Sequence, residues 1–221
     1  MNHEPRSLRV SVSPWLVAAA VAAVLLASPA DAQTEFMLRG FADAGTTTFA
    51  ADQSFTAVLG SARRPVFGGG VEAVFPQRVF VHVRASRFRG TGQRVVLFNQ
   101  TQFRLGIPTT ITVTPLALVG GYRLDYGWRV VPYAGVGVGW HRYQETSRFA
   151  EASENIDTRF QGGHVLGGAE LRVARWIGAA VEAEWTTVPN ALGDDPNSVS
   201  GEFQESNLGG VTYRVKIVVG R

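Results

Sequence analysis

The connections between strand-like segments alternate between long and short along this chain. Period-two alternation of apolar and polar residues recurs in eight segments: Glu35–Thr46, Pro65–Phe75, Arg78–Arg89, Thr110–Asp125, Arg129–Tyr143, Arg159–Val173, Trp176–Thr187 and Leu208–Gly220. Three connections are tight turns, at Pro76-Gln77, Tyr126–Trp128 and Ala174-Arg175. The other four are long and polar: Thr47–Arg64, Gly90–Thr109, Gln144–Thr158 and Val188–Asn207. Strict alternation puts every long connection at one end of an antiparallel sheet, which is the order found in transmembrane barrels.

The predicted fold is therefore all-β: a closed antiparallel transmembrane β-barrel of about eight strands, with short periplasmic turns and long extracellular loops. Each segment is long enough to cross a bilayer as a tilted strand, which takes about 9–11 residues. The connection Gly90–Thr109 leaves the strand count open, because Arg94–Phe98 and Phe103–Gly106 flank a turn at Asn99–Gln102. We expect this hairpin to extend the barrel wall, and a ten-stranded barrel is the alternative.

The N-terminus has the three parts of a secretory signal peptide. Arg6 and Arg9 are basic, Val17–Leu26 is apolar, and Ala30-Asp31-Ala32 is a cleavage pattern of small residues. A transmembrane anchor is the rival interpretation, but the apolar run of about 13 residues falls short of the roughly 20 that a spanning helix needs. We therefore expect residues 1–32 to be cleaved and residues 33–221 to form the barrel in a bacterial outer membrane.

Within each segment, every second residue lies on the same face of the strand, and the charged residues fall almost entirely on one of the two faces, here called the charged parity. In the last segment Val215 and Ile217 lie on one face, while Arg214 and Lys216 lie on the other. In a barrel the apolar parity meets lipid and the charged parity lines the lumen. The predicted lumen charge network, in which the ions pair with one another, comprises Arg39, Asp43, Glu72, Arg84, Arg123, Glu170, Arg172, Glu182, Glu184, Arg214 and Lys216.

A soluble sandwich with one solvated face would show the same alternation, so other features must separate the two architectures. Aromatic residues cluster near the segment ends, as in interfacial girdles: Phe75, Tyr122, Trp128, Tyr133, Trp140, Tyr143, Trp176, Trp185 and Tyr213. The parity without charges is also rich in Gly, Ala and Val. Together with the connection lengths, these features favour the membrane barrel.

Three motifs resemble the small outer-membrane barrels of the OmpA-transmembrane and OmpX type. They are Leu38–Phe41, Gly120–Leu124 before a tight turn, and Val131–Gly139 after it. The resemblance covers roughly the whole chain after the signal segment and implies the barrel fold. Members of that family include structural proteins, adhesins, small porins and a few lipid-modifying enzymes. One departure is the C-terminus, Val218–Arg221, which lacks the final aromatic residue that the insertion machinery reads in many such barrels.

No catalytic, cofactor-binding or metal site is predicted. His82, His141 and His164 lie on separate segments with no metal-ligand spacing, and we interpret them as hydrogen-bonded lumen residues. Ser86, His82 and Glu72 supply the residue types of a hydrolytic triad, but a triad is defined by its geometry. The chain contains no cysteine, and its scattered charges form no nucleic-acid footprint.

The expected function is non-enzymatic: a structural or surface-interaction barrel with a lumen filled by ion pairs. The alternatives are a narrow porin-like channel for small solutes and a soluble periplasmic ligand-binding barrel. The expected partners are outer-membrane lipid, the barrel-insertion machinery and an extracellular partner reached through the loops, with no nucleic acid. The protein is expected to be a monomer.

Overall fold

Eight antiparallel strands close into a barrel, with β1 paired to β8. The computed structural model describes residues 36–98, 101–147, 155–193 and 198–220. The strands are β1 Met37–Phe49, β2 Arg63–Val74, β3 Val79–Phe98, β4 Thr101–Arg123, β5 Val130–Ser147, β6 Ile156–Ala174, β7 Ile177–Thr187 and β8 Gly210–Gly220. The predicted eight-stranded barrel is confirmed, and the signal peptide predicted at residues 1–32 lies outside the described residues.

The connection between the third and fourth predicted segments extends the barrel and adds no strands. Residues 94–98 continue β3, residues 103–106 belong to β4, and the two strands pair up to Phe98 and Thr101. The ten-stranded alternative is therefore wrong. Because this hairpin rises beyond its neighbours, the end of the barrel that carries the long connections, here called the loop end, is higher on one side. The opposite end is the turn end.

Apolar side chains form a band around the outside of the barrel. Val136, Val181 and Val215 are each about 60% exposed. Along β5 the outward apolar face runs from Val130 to Trp140. At about 3.4 Å per residue and a tilt of about 40°, this stretch covers roughly 26 Å along the barrel axis, which matches the apolar band of membrane barrels.

The polarity of the two faces reverses toward the loop end. On β3 the outward face changes from Val83 and Ala85 to exposed Arg87 and Arg89, while the inward residue between the arginines is buried Phe88. β5 changes in the same way, with Arg142 outside and buried Tyr143 inside. On these two strands, the wall just above the band therefore has the polarity of a soluble protein, with charge outside and apolar residues inside.

A short helix fills the barrel at the loop end. Helix α1, Asp52–Leu59, lies in the connection that the sequence predicts as a polar loop, and it ends at Gly60, whose φ of 81° is left-handed. The ring of Phe55 stacks on Phe49 with centroids 4.0 Å apart. Together they belong to the loop-end core: Phe49, Ala51, Phe55, Leu59, Ala62, Phe88, Ile111, Val113, Tyr143, Val188, Ala191 and Leu208.

A second, one-turn helix, α2 at Val199–Glu202, lies in the connection between β7 and β8. The same connection holds α1 in place. The Glu205 carboxylate accepts hydrogen bonds from the backbone N–H groups of Gln53 and Ser54, at 3.0 and 2.8 Å. A carboxylate at a helix N-terminus satisfies unpaired N–H groups and interacts favourably with the helix dipole. Among the described residues, no helix has the length and apolar character needed to cross a membrane.

Candidate functional site

The charged lumen is the candidate site. Ten of the eleven residues predicted for its charge network lie inside the barrel with at most 8% exposure: Arg39, Asp43, Glu72, Arg84, Arg123, Glu170, Glu182, Glu184, Arg214 and Lys216. Strand register places opposite charges side by side, because Arg39 pairs with Glu72, Asp43 with Lys216 and Glu182 with Arg214. The charges fall into two groups along the barrel axis.

The lower quartet, nearer the turn end, contains two arginines and two glutamates. Arg39 bridges both carboxylates: it forms an ion pair with Glu72, and its Nη1 lies 2.8 Å from Glu170 Oε1. Arg123 bridges the same two, with Nη2 2.8 Å from Glu170 Oε2 and Nη1 3.4 Å from Glu72 Oε1. Each carboxylate is thus shared by two guanidinium groups, which holds all four side chains across the lumen.

The upper cluster, nearer the loop end, contains three cations and three carboxylates. Arg84 lies 2.5 Å from Glu182 and 2.6 Å from Glu184. Arg214 lies 2.7 Å from Glu184, and the Lys216 amine lies 3.1 Å from Glu182. Asp43 completes the balance at longer range, with its Oδ2 3.5 Å from Arg84 Nε and its Oδ1 3.9 Å from Arg214 Nε.

Both groups are electrically neutral when all members are ionised. This balance matters because an isolated buried charge costs several kcal/mol of desolvation, which pairing and hydrogen bonds offset. The Tyr133 hydroxyl donates a further hydrogen bond of 3.0 Å to Glu182. Removing one partner would leave a buried ion uncompensated, so the side chains depend on one another for their ionised state.

Arg172 is the exception among the predicted network residues. It lies near the end of β6, where the pairing with β7 shifts register, and its side chain is 40% exposed. It forms an ion pair with Asp125 at the rim of the turn end. Partial burial acts to raise the pKa of Asp125, but the Gly127 N–H and the Arg172 guanidinium hold that pKa below its ordinary value.

Two of the aromatic residues that the sequence analysis assigned to the girdle do not lie on the outer face. Trp128, Trp176 and Trp185 are more than half exposed on the outside. Tyr133 and Tyr143 are buried, because both fall on the inward parity of β5. Tyr133 belongs to an inward apolar group that sequence reasoning missed, composed of Phe80, Ala117, Val119, Tyr133, Leu166 and Ala180. The position of these residues on the same alternation face as the charged residues could have predicted that they point into the barrel.

The lumen histidines form no catalytic or metal-binding arrangement in the described part of the chain. His82 lies 3.7 Å from Glu72, but Ser86 is four residues farther along the same strand, about 13 Å away. The hydrolytic triad is therefore not assembled. His164 lies 2.5 Å from Glu184, and its ring stacks on His141 with centroids 5.3 Å apart. No group of three or more His, Cys, Asp or Glu side chains in these ranges has the geometry to hold a metal ion.

Two cavities lie on either side of the ionic groups. A vestibule of about 270 Å³ opens at the turn end and reaches Arg39 and Glu170 of the lower quartet. A cavity of about 60 Å³ lies above the upper cluster, lined by His141, His164 and Glu184 and by Phe88 of the loop-end core. From one end to the other, the interior therefore contains vestibule, lower quartet, upper cluster, cavity and loop-end core.

No protein-family sequence model matches this chain, and no curated protein sequence matches it. Among solved structures it is similar to a major outer membrane protein from Thermus thermophilus, with a TM-score of 0.51 and 11% identity. The alignment covers 85% of this chain and 100% of that one. The chain has the fold of a small outer-membrane β-barrel.

Two other small barrels align over similar lengths. Neisserial surface protein A aligns with a TM-score of 0.49 and 10% identity, covering 84% of this chain and 97% of that chain. Ail, the attachment invasion locus protein of Yersinia pestis, aligns with a TM-score of 0.46 and 11% identity, covering 86% and 99%.

Proposed function

We propose that this small barrel is an integral protein of the bacterial outer membrane, exported through a cleaved signal peptide, with a structural or surface-interaction role. The observation that carries the proposal is the reversed polarity of the barrel at the level of the apolar band. Lumen ions are at most 8% exposed, whereas outward Val181, Val215 and Ile217 are about 60% exposed. Monomeric soluble proteins rarely expose apolar patches this extensive, so the outer face fits lipid better than water. The same exposure argues against the soluble periplasmic ligand-binding alternative.

The composition of the lumen supports a structural role over transport. Two neutral ionic groups and the loop-end core lie in series along the axis, and an eight-stranded barrel is just wide enough to be filled by side chains. A conducting path would require Arg39, Arg84 and Arg123 to leave their carboxylates together with movement of α1.

The long connections are the surface offered to an extracellular partner. The Glu205 hydrogen bonds and the packing of Phe55 fix α1 to the barrel wall, so this part of the loop end is a preformed surface. We further propose that the protein acts as a monomer, because at the level of the apolar band every described strand is paired on both sides and has no free edge for pairing with another chain. Its other partners would be outer-membrane lipid and the barrel-insertion machinery.

Membrane fractionation followed by gel electrophoresis with and without boiling tests the proposal. A closed membrane barrel resists detergent until heated, so the unboiled protein should stay in the outer-membrane fraction and migrate differently from the boiled sample. Recovery in the soluble periplasmic fraction would contradict the proposal. N-terminal sequencing of the same material should begin at Gln33, and an intact Met1 would contradict cleavage.

The narrow-channel alternative is tested by planar-bilayer recording. The wild-type barrel should show no stable conductance, because its lumen is filled by paired side chains. If the wild type conducts and Glu182→Gln alters that conductance, the channel alternative is supported and the structural role is wrong. Because Glu182 contacts Arg84 and Lys216 directly, it is the substitution most directly coupled to the path through the lumen.

A further inference from the structure

The border of the apolar band toward the loop end carries one sign of charge. On each of four strands, the first charged residue among the outward-facing positions between the apolar band and the loop end is an arginine. These residues are Arg63 on β2, Arg87 on β3, Arg142 on β5 and Arg159 on β6. No strand of the described chain places a carboxylate at that point. Closure of the barrel does not require these arginines, since the strands that lack one at this level are also paired with both neighbours.

Two of these arginines are in an unfavourable position with respect to each other. Arg142 and Arg159 are direct cross-strand partners on the outside of β5 and β6, and like charges directly opposite destabilise a sheet. Asp157 is hydrogen-bonded to only one of them: it accepts hydrogen bonds from Arg142 Nε at 2.8 Å and from Arg142 Nη2 at 2.5 Å. Arg159 forms no close ion pair or hydrogen bond with Asp157.

Arg87 and Arg89 add two further exposed cations beside this pair. Neither they nor Arg159 form an ion pair or hydrogen bond with another residue in the described ranges. Arg87 and Arg89 point outward two residues apart on β3, about 6.8 Å along the strand. Arg142 lies opposite Thr114 of β4, the strand that separates it from β3. Among the described residues, the arginine patch, defined as Arg87, Arg89, Arg142 and Arg159, therefore has one carboxylate for four guanidinium groups.

The patch adjoins the lipid-facing surface. Two residues closer to the turn end, the outward-facing positions form a row across β3, β4, β5 and β6. In this row Ala85 pairs with Leu116, Leu116 with Trp140, and Trp140 with Gln161. Leu116 and Trp140 are at least 40% exposed on the outside of the barrel. Tryptophan at such a border is typical of the membrane–water interface. A ligand on the patch can thus contact cations with its head and apolar side chains with its tail.

We propose that the arginine patch binds the phosphate-bearing headgroup of a lipid in the membrane leaflet at the loop end. This inference rests on the proposed membrane location. Guanidinium groups form charge-assisted, often bidentate, hydrogen bonds with phosphate oxygens. A soluble anion would gain only that contact, whereas a lipid also buries its acyl chains against Leu116 and Trp140. The position of the patch at the edge of the apolar band therefore favours a lipid over a free anion.

The test uses the protein purified from the cell envelope and placed in phosphatidylcholine nanodiscs doped with lipid A, whose headgroup carries phosphate. Native mass spectrometry counts lipid A and phosphatidylcholine retained by each barrel. The test variant is Arg87→Gln/Arg159→Gln. The matched control is Arg129→Gln/Arg175→Gln, which removes two exposed arginines at the turn end. Heat-modifiable migration verifies that each variant is folded.

The wild type and the control should retain lipid A preferentially, within about twofold of each other. A basic residue near an anionic membrane surface contributes on the order of fivefold in affinity, so the test variant should lose roughly 25-fold of that preference. Equal retention by both variants, or displacement of lipid A by excess inorganic phosphate, would overturn the inference while leaving the membrane location intact. Failure of the wild-type barrel to insert would overturn the proposed function itself.

Discussion

The interior of this barrel contains two regions stabilised by opposite chemistry. At the level of the apolar band the lumen holds paired ions, exemplified by Arg39 between Glu72 and Glu170. At the loop end the same barrel encloses an apolar core, in which Phe49, Phe55 and Phe88 pack ring against ring. The strands run continuously from one region into the other.

In the proposed membrane location, this difference reflects the solvent outside the wall. Where the wall faces lipid, apolar side chains are favourable outside, and the charged parity is left to pair within the lumen. Where the wall faces water, arginines such as Arg87 are favourable outside, and burying Phe88 gains the hydrophobic effect that drives soluble proteins to fold. Along one strand, inward residues therefore form ionic contacts where the wall faces lipid and bury apolar surface where the wall faces water.

The largest expected effect comes from breaking the ionic region. Glu182→Gln would leave Arg84 and Lys216 without their shared carboxylate in a buried site, so we expect a loss of about 3–5 kcal/mol in the free energy of unfolding. Urea titration in detergent or bilayers measures it. The matched control is Asp157→Asn, which breaks an ion pair on the exposed outer surface and should change the free energy of unfolding far less, because water screens exposed charges. Equal losses for both variants would contradict the distinction between the two sites.

The apolar region should respond by local release instead of global unfolding. Phe55→Ala removes a buried ring from α1, at an expected cost of about 3 kcal/mol, which converts to a roughly 100-fold increase in opening of the helix. Limited proteolysis within Asp52–Leu59 measures that opening, and heat-modifiable migration should be retained. If migration is lost with α1 release, the loop-end core and the ionic lumen are one cooperative unit.

A charge placed on the outer wall should distinguish lipid-facing from interfacial positions. Val181→Arg puts a cation at the middle of the apolar band of β7 and should cost about 2–4 kcal/mol of stability in a bilayer. Thr46→Arg, on the outward parity of β1 beside Tyr213, lies at the interface and should cost about 1 kcal/mol or less. Urea unfolding of both variants in bilayers provides the measurement. A neutral effect at Val181 would mean that this face meets water.

The smallest effect is expected at the contact that orients α1. Glu205→Gln removes the charge that accepts hydrogen bonds from Gln53 and Ser54, and a helix N-terminal contact of this kind contributes about 1 kcal/mol. Hydrogen exchange of the α1 amides should speed up by about fivefold. Glu202→Gln, an exposed substitution in the same connection, should leave α1 exchange unchanged. Unchanged exchange in Glu205→Gln would show that apolar packing alone holds the helix.

Strand number, order and the inward position of most charged residues could be predicted from sequence, because alternation and connection length are local signals. The burial of Tyr133 and Tyr143 could have been predicted from parity. The packing of α1 could not be predicted, because residues 47–64 have the composition of a polar loop. Phe55 contacts Phe49 and Phe88 only once the sheet has closed. The exact partners of Arg123 also depend on contacts across the lumen, which pairing within strands does not specify. Alternation also fails to predict the exposure of Arg172. Its inward position predicts burial, but it lies so near the end of β6 that its side chain is exposed.

Site-directed spin labelling tests the reversal of polarity along β3 most directly. The chain has no cysteine, so single cysteines at positions 81, 83, 85, 87 and 89 can each be labelled cleanly in bilayers. Collision with oxygen should dominate at Val81, Val83 and Ala85, and collision with a water-soluble nickel complex should dominate at Arg87 and Arg89. Water accessibility at Val83 equal to that at Arg89 would contradict the account.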